Sequence, residues 1–399
     1  MCSLWAVGML LTACNGDADE QTVVPQDGTP IAFNAIMGGM HDGTVTRTPA
    51  NSIENNATLD SEGGFGVFAC YTGLHGYSDS NVHPDFMYNE QVTSEDDGAT
   101  WTYSPIKYWP NGEGNTNSSL VTGENPHYVS FMAYAPYSDG SVYCIPSFSL
   151  QGEVGNPWLT YRIHRDVSQQ VDLLYARPLL DQLKPSTGEK LQFQFEHALA
   201  CVGDKIDIAC SSDMQGMLND QLDGIRLYGV EVLLTSLTID YTLTEKGRLV
   251  LWNNNEEANW QTILSENPTI SLPSLRIVSS GSPQTVFKKK YNTNATVTTW
   301  ENSNNGVYYI PIEFESYPQT AKVSVTYTVR YYTNSELTAY TDDPAVTGVA
   351  TLTLNKYPDA YKSGKHLYLN VNINMVAMTL TAAIQPWVIE EHDVTAELQ

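Results

Sequence analysis

Charge is scarce in this 399-residue chain, and positive charge scarcest of all. Charged residues make up 16%, with 20 Lys and Arg against 45 Asp and Glu, where an average soluble protein carries roughly 25%. The formal net charge of −25 excludes a nucleic-acid partner, because phosphates would be repelled. It suits solubility instead. The apolar run at Leu4 to Thr12 falls short of the roughly 20 residues that span a bilayer. Cysteine is sparse and unpatterned. Of six, Cys2 and Cys14 lie at the amino terminus, leaving Cys70, Cys144, Cys201 and Cys210 with no CxxC among them. Cys70 (VFACYT) and Cys201 (HALACV) sit in apolar strands, where a thiol behaves as a small hydrophobe. No bridge is assigned.

The chemistry of catalysis is missing as well. There is no HExxH, no GxSxG and no P-loop, and the His164-Arg165-Asp166 triplet lacks the Gly-rich loop, strand lysine and DFG of a kinase. The eight histidines are scattered. His197, in FQFEHAL, reads as a hydrogen-bonded core or edge residue rather than a metal ligand. Asp96-Asp97 lacks the calcium-loop spacing. No catalytic residue, metal site or cofactor is expected.

One stretch does match an enzyme-associated pattern. SEDDGATW, Ser94 to Trp101, fits S-x-D-x-G-x-T-W, the Asp box of sialidases and related β-propellers. A propeller repeats its unit blade by blade, and this motif occurs once. Sialidase chemistry also needs a Tyr nucleophile and a set of arginines. Only Arg47 precedes Arg162 among eight arginines. SEDDGATW therefore reads as a hairpin turn whose second strand is WTYSPIKYW (Trp101 to Trp109), with its aromatics packing rather than stacking on sugar.

What the chain has in abundance is Thr, Ser, Asn and 24 Tyr, arranged in strict alternation. KVSVTYTVRY (Lys322 to Tyr331) sets Val323, Val325, Tyr327, Val329 and Tyr331 on one face, and HLYLNVNINM (His366 to Met375) does the same with Leu367, Leu369, Val371, Ile373 and Met375. LQFQFEHAL, LTIDYTLT, YYIPIEFE and GVATLTL follow suit. Period two at short intervals predicts an all-β fold of antiparallel β-sandwiches. Val167 to Leu183 is the best candidate for a helical turn or two. The turn-rich KPSTGE (Lys184 to Glu189) suggests a boundary, dividing the chain into residues 30–185 and 186–399.

The amino terminus carries the strongest local signal. Leu11-Thr12-Ala13-Cys14 resembles the bacterial lipobox, and NGDADEQ behind it resembles the acidic tether of surface lipoproteins. Residues 1–13 are then a lipoprotein signal peptide, 14–29 a tether, and Cys14 the lipidated residue, holding the chain to the outer membrane.

WTYSPIKYWP, VSFMAYAP (Val129 to Pro136), VDLLYA (Val171 to Ala176), LQFQFEHAL (Leu191 to Leu199) and TLTAAIQPW (Thr379 to Trp387), in that order behind a lipobox, resemble the fimbrillin family of Bacteroidales surface lipoproteins. The resemblance implies two tandem transthyretin-like antiparallel β-sandwich domains. It also implies a structural subunit of a cell-surface fimbrium supporting adhesion, exported as a precursor and cut after an arginine. The vacated groove would then accept a strand from another fimbrial subunit, its partner. Here IAFNAI (Ile31 to Ile36) is the strand to be lost, and Arg47 and Thr48 flank the cut. Asn374 to Val388 is either the donor or a permanent member of the second sandwich. Alternatives are a surface glycan-binding lipoprotein or adhesive tip subunit meeting host or bacterial surface ligands, and a sialidase-like hydrolase.

Overall fold

The computed structural model describes residues 26–37, 51–78, 82–110, 127–140, 147–148, 155–185, 189–210, 221–222, 225–251, 259–263, 268–291, 300–303, 306–313, 316–373, 378–386 and 394–396. Within them the fold is all-β, as the alternation predicts. Helix is confined to Asn56–Ser61 and three single 3-10 turns. The short helix exists because Asn55 caps it: the Asn55 side chain accepts from Thr58 N, and Thr58 Oγ1 accepts from Asn55 N.

The first sheet runs in the order Phe33–Met37, Leu191–His197, Leu174–Ala176, Tyr128–Ala135, Phe65–Gly73, Met87–Val92, with Leu179–Gln182 also on Tyr128–Ala135. Every pairing is antiparallel except the first, where Phe33–Met37 lies parallel to Leu191–His197. One face buries Phe33, Phe65, Phe131, Phe193 and Phe195, with Trp101 and Trp109 over them. Phe65 with Trp101, Phe65 with Phe193 and Phe33 with Phe131 meet edge-on at 5.1–5.9 Å, as ring quadrupoles favour.

The second core lies between two further sheets. Ala200–Cys210 and Lys365–Ile373 pair parallel, and Met378–Pro386 adds antiparallel over nine residue pairs. They face a sheet centred on the long pair Gly229–Thr244 and Thr320–Tyr332. The predicted face of Val323, Val325, Tyr327, Val329 and Tyr331 is buried, and so are Leu367, Leu369, Val371 and Ile373. Met375 lies outside the described residues. Met378–Pro386 is a full member of this sheet.

A four-stranded antiparallel sheet joins the halves. Trp158–Arg162 from the first half pairs with Lys246–Val250 from the second, and Ser147–Phe148 and Asn259–Thr262 flank them as the outer strands. Leu159, Tyr161, Leu249 and Leu251 from this region pack with Phe68 and Tyr134 behind the first sheet and with Tyr308 and Ile310 of the second half.

Three expectations need correction. The boundary at 185/186 falls inside the first sheet, because Leu191–His197 is its second strand and delivers Phe193 and Phe195 to the first core. Sheet membership changes between His197 and Ala200. Of Val167 to Leu183, only Val167–Gln169 is helical, and Leu174–Ala176 and Leu179–Gln182 are strands. Pairing with distant partners overrides local preference there. WTYSPIKYW is not one strand: Thr102 makes a single bridge to Thr93, and pairing resumes only at Tyr108–Pro110, against Gln26–Pro30. Pro105 has no N–H to give a ladder.

Candidate assembly site

Phe33–Met37 is an edge strand. Its register with Leu191–His197 sets Phe33 beside Leu191, Ala35 beside Phe193 and Met37 beside Phe195. Its other side has no ladder partner among the described residues. Alternation sends Ile31, Phe33, Ala35 and Met37 inward, all under 7% exposed, while Ile36 points out at 47%. Phe33 is the anchor, with ring centroids 5.4 Å from Tyr103, 5.4 Å from Phe193 and 5.8 Å from Phe131.

Polar contacts hold the strand in place around this anchor. Ile31 N donates to Lys107 O, Leu191 N donates to Ala32 O (both 2.9 Å), and Tyr103 Oη donates to Ile31 O at 3.0 Å. Asn34 Nδ2 reaches Gln192 Oε1 at 2.9 Å. Burial pushes the Tyr103 phenol up to about 12, so it remains a donor at neutral pH.

The Asp-box turn clamps the open side. Ser94 Oγ donates to Asp96 Oδ1 at 2.8 Å and accepts from Gly98 N at 2.9 Å, and Asp96 accepts from Thr100 N and Thr100 Oγ1, both at 2.7 Å. Those hydrogen bonds, led by the Thr100 hydroxyl, hold the Asp96 carboxyl below the usual carboxylate range. Asp97 and Gly98 have φ of 54° and 79°, the left-handed conformation that Asp and Gly tolerate. Asn56 Nδ2 then bridges Gly98 O (3.3 Å) and Ala35 O (3.2 Å), tying turn to strand. The motif is thus a structural turn beside the edge strand Phe33–Met37.

The described chain stops at Met37 and resumes at Asn51 with a second set of ties. Asn51 Nδ2 donates to Gln170 O at 2.8 Å, and Ile53 N donates to Asp172 Oδ2 at 3.3 Å. Gln170 in turn accepts from Tyr308 N of the second half at 2.9 Å. Residues 51–53 are therefore fastened to the junction independently of Phe33–Met37. Cys14, Arg47 and Thr48 lie outside the described residues.

Sequence reasoning placed His197 in the core, and its Nδ1 sits 2.7 Å from buried Asp172 Oδ2. It missed a second such pair, His366 Nδ1 with Asp204 Oδ2 at 2.7 Å. No spacing rule reaches a partner 162 residues away.

The site is thus an edge strand seated in an aromatic groove and followed by a separately fastened segment. No family model matches the chain. Fimbrium subunit Fim1C of Phocaeicola vulgatus is 23% identical to it, the match covering 96% of each chain. Among solved structures, a fimbrial protein from Bacteroides vulgatus covers 90% of this chain and 99% of its own, at 20% identity and a TM-score of 0.62. The fold is shared along nearly the whole chain, and both proteins are of the class that the sequence resembles.

Proposed function

We propose that the protein is a structural, non-enzymatic subunit of a cell-surface fimbrium supporting adhesion. It is lipidated at Cys14 as a precursor, cut between Arg47 and Thr48, and assembled by strand exchange with other fimbrial subunits. The observation that carries this is the Phe33–Met37 edge strand: it is buried on one face, paired on one side, and separated in sequence from the body by the segment that holds Arg47. Losing it would expose Phe193, Phe131 and Tyr103 and one backbone edge. Each large side chain returned to water costs roughly 1.5–3 kcal/mol, so the vacated groove favours capture of another strand. Such a head-to-tail contact does not close, and it propagates. The ties of Asn51 and Ile53 keep the new terminus docked while the strand leaves. The described residues contain no helix long and apolar enough to cross a membrane, and the lipid on Cys14 supplies attachment.

Purified precursor treated with an arginine-specific protease should give laddered, SDS-resistant oligomers, abolished in Arg47→Ala. Cleavage that leaves monomers would overturn the polymerising role, and an uncleavable Arg47 would overturn the processing step. Cys14→Ser should release the protein from the membrane fraction. Unchanged association would refute the lipid assignment.

A further inference from the structure

We propose that Cys201, Asp204 and His366 form a binding site for one divalent transition cation of the zinc type, between the paired strands Ala200–Cys210 and Lys365–Ile373. The parallel register sets Cys201 directly beside His366. A register irregularity between Val202 and Ile206, with Gly203 at φ +77°, interrupts the ladder where Asp204 lies, as bulges do when they re-aim a side chain. One donor atom from each of the three residues lies within 4.8 Å of the others. All three are buried, at 0%, 2% and 4% exposure.

Two further atoms mark the place as unfinished. Asp204 Oδ1 is buried with no hydrogen-bond partner, although Oδ2 meets His366 Nδ1 at 2.7 Å. The Tyr241 hydroxyl, on the facing sheet and 1% exposed, is likewise buried without a partner. It lies over Gly203, so close that a Cβ there would come within 2.3 Å of it. On the other side, a Cβ on Gly306 would fall 2.6 Å from Cys201 Sγ and 2.7 Å from Asp204 Cβ. Glycine at both positions leaves room for the donor set and for no side chain.

The donors suit the cation. Thiolate, carboxylate and imidazole are the common zinc ligands, with bonds of about 2.0–2.3 Å. A tetrahedral set at those lengths separates its ligand atoms by roughly 3.3–3.8 Å, so an ion would part the hydrogen-bonded Asp204–His366 pair, now 2.7 Å apart, and close any wider gap within the 4.8 Å cluster. Charge closes as well. One thiolate and one carboxylate balance a divalent ion, and neutral imidazole adds nothing, so a buried site carries no net charge. Without an ion, burial and then the Asp204 and Asp172 carboxylates keep the Cys201 thiol protonated. Binding forms the metal–sulfur bond and releases that proton to solvent.

Because the site is closed, the ion must enter during folding. The full-length chain refolded from guanidinium with Co2+ should retain one cobalt per chain after gel filtration. It should show a thiolate-to-cobalt charge-transfer band and release one proton per ion. Cys201→Ser should abolish the band, while Cys70→Ser, Cys144→Ser and Cys210→Ser should keep it. If Cys201→Ser does not refold, X-ray absorption on the zinc-loaded wild type decides. One sulfur scatterer at about 2.3 Å supports the site, and a shell of oxygen and nitrogen alone overturns it. Cobalt lost on gel filtration, or a band that survives Cys201→Ser, would also overturn it.

Discussion

Phe33→Ala separates the role of the amino-terminal strand in the precursor from its role after assembly. The ring is 1% exposed and meets one stacked, one tilted and one edge-on aromatic ring at 5.4–5.8 Å, so its removal leaves a cavity among rigid rings that cannot readily collapse. Phe-to-Ala changes at such sites cost about 3–5 kcal/mol, a large share of the roughly 5–15 kcal/mol that holds a domain folded. In urea, with a slope near the upper end of the roughly 1–3 kcal/mol/M range because the unfolding unit is large, the first transition of the precursor should move down by on the order of 1–2 M. Ile36→Ser, one strand face away at 47% exposure, should change it by under about 0.5 kcal/mol. If the strand leaves on cleavage, oligomers made from Phe33→Ala precursor should be as stable as wild-type ones, because the altered residue is no longer in them. Equal shifts for the two variants in the precursor would refute the packing argument. Weakened Phe33→Ala oligomers would refute the departure of the strand.

Gly98→Ala should destabilise the first half by about 1–3 kcal/mol, because φ is +79° and the added Cβ would meet Asn56 O at 2.6 Å; a neutral outcome by thermal melting would count against the clamp. Asp96, with its folded pKa depressed, contributes stability above the unfolded pKa and loses it as pH falls through the folded one. Carboxyl NMR should show it titrating below the usual carboxylate range, and Thr100→Val should move its midpoint up; a midpoint unmoved by Thr100→Val would refute the assignment. Burial pushes the Cys70 and Cys210 thiols up to about 12, leaving roughly one in ten thousand as thiolate at pH 8. Iodoacetamide should therefore spare both in the native protein and label both in guanidinium, and native labelling of either would refute their burial.

Alternation made much of this fold legible. Where one face meets a core and the other meets solvent, as in Thr320–Tyr332, period two is written directly into residue type. The partner of a strand is not written there. Phe33–Met37 pairs with residues 158 positions away, and nothing local to either segment records that the pairing is parallel. KPSTGE looked like a division because polar turns within a sheet and between sheets use the same residues. VDLLYARPLLDQ escaped because strands of three or four residues, Leu174–Ala176 and Leu179–Gln182, are too short for a period. At the candidate site, the apolar run IAFNAI was readable as a strand. The Asn56 bridge and the Asp172 and Asp204 pairs were not, since each joins residues through folding alone.

The sheet that joins the halves bears on how the molecule would carry load. Besides the Gln170–Tyr308 hydrogen bond, force entering the first half has two routes along strands into the second: the covalent link from His197 to Ala200, and the five residue pairs that bind Trp158–Arg162 to Lys246–Val250. Two routes side by side share tension and resist bending, as two struts do where one would pivot.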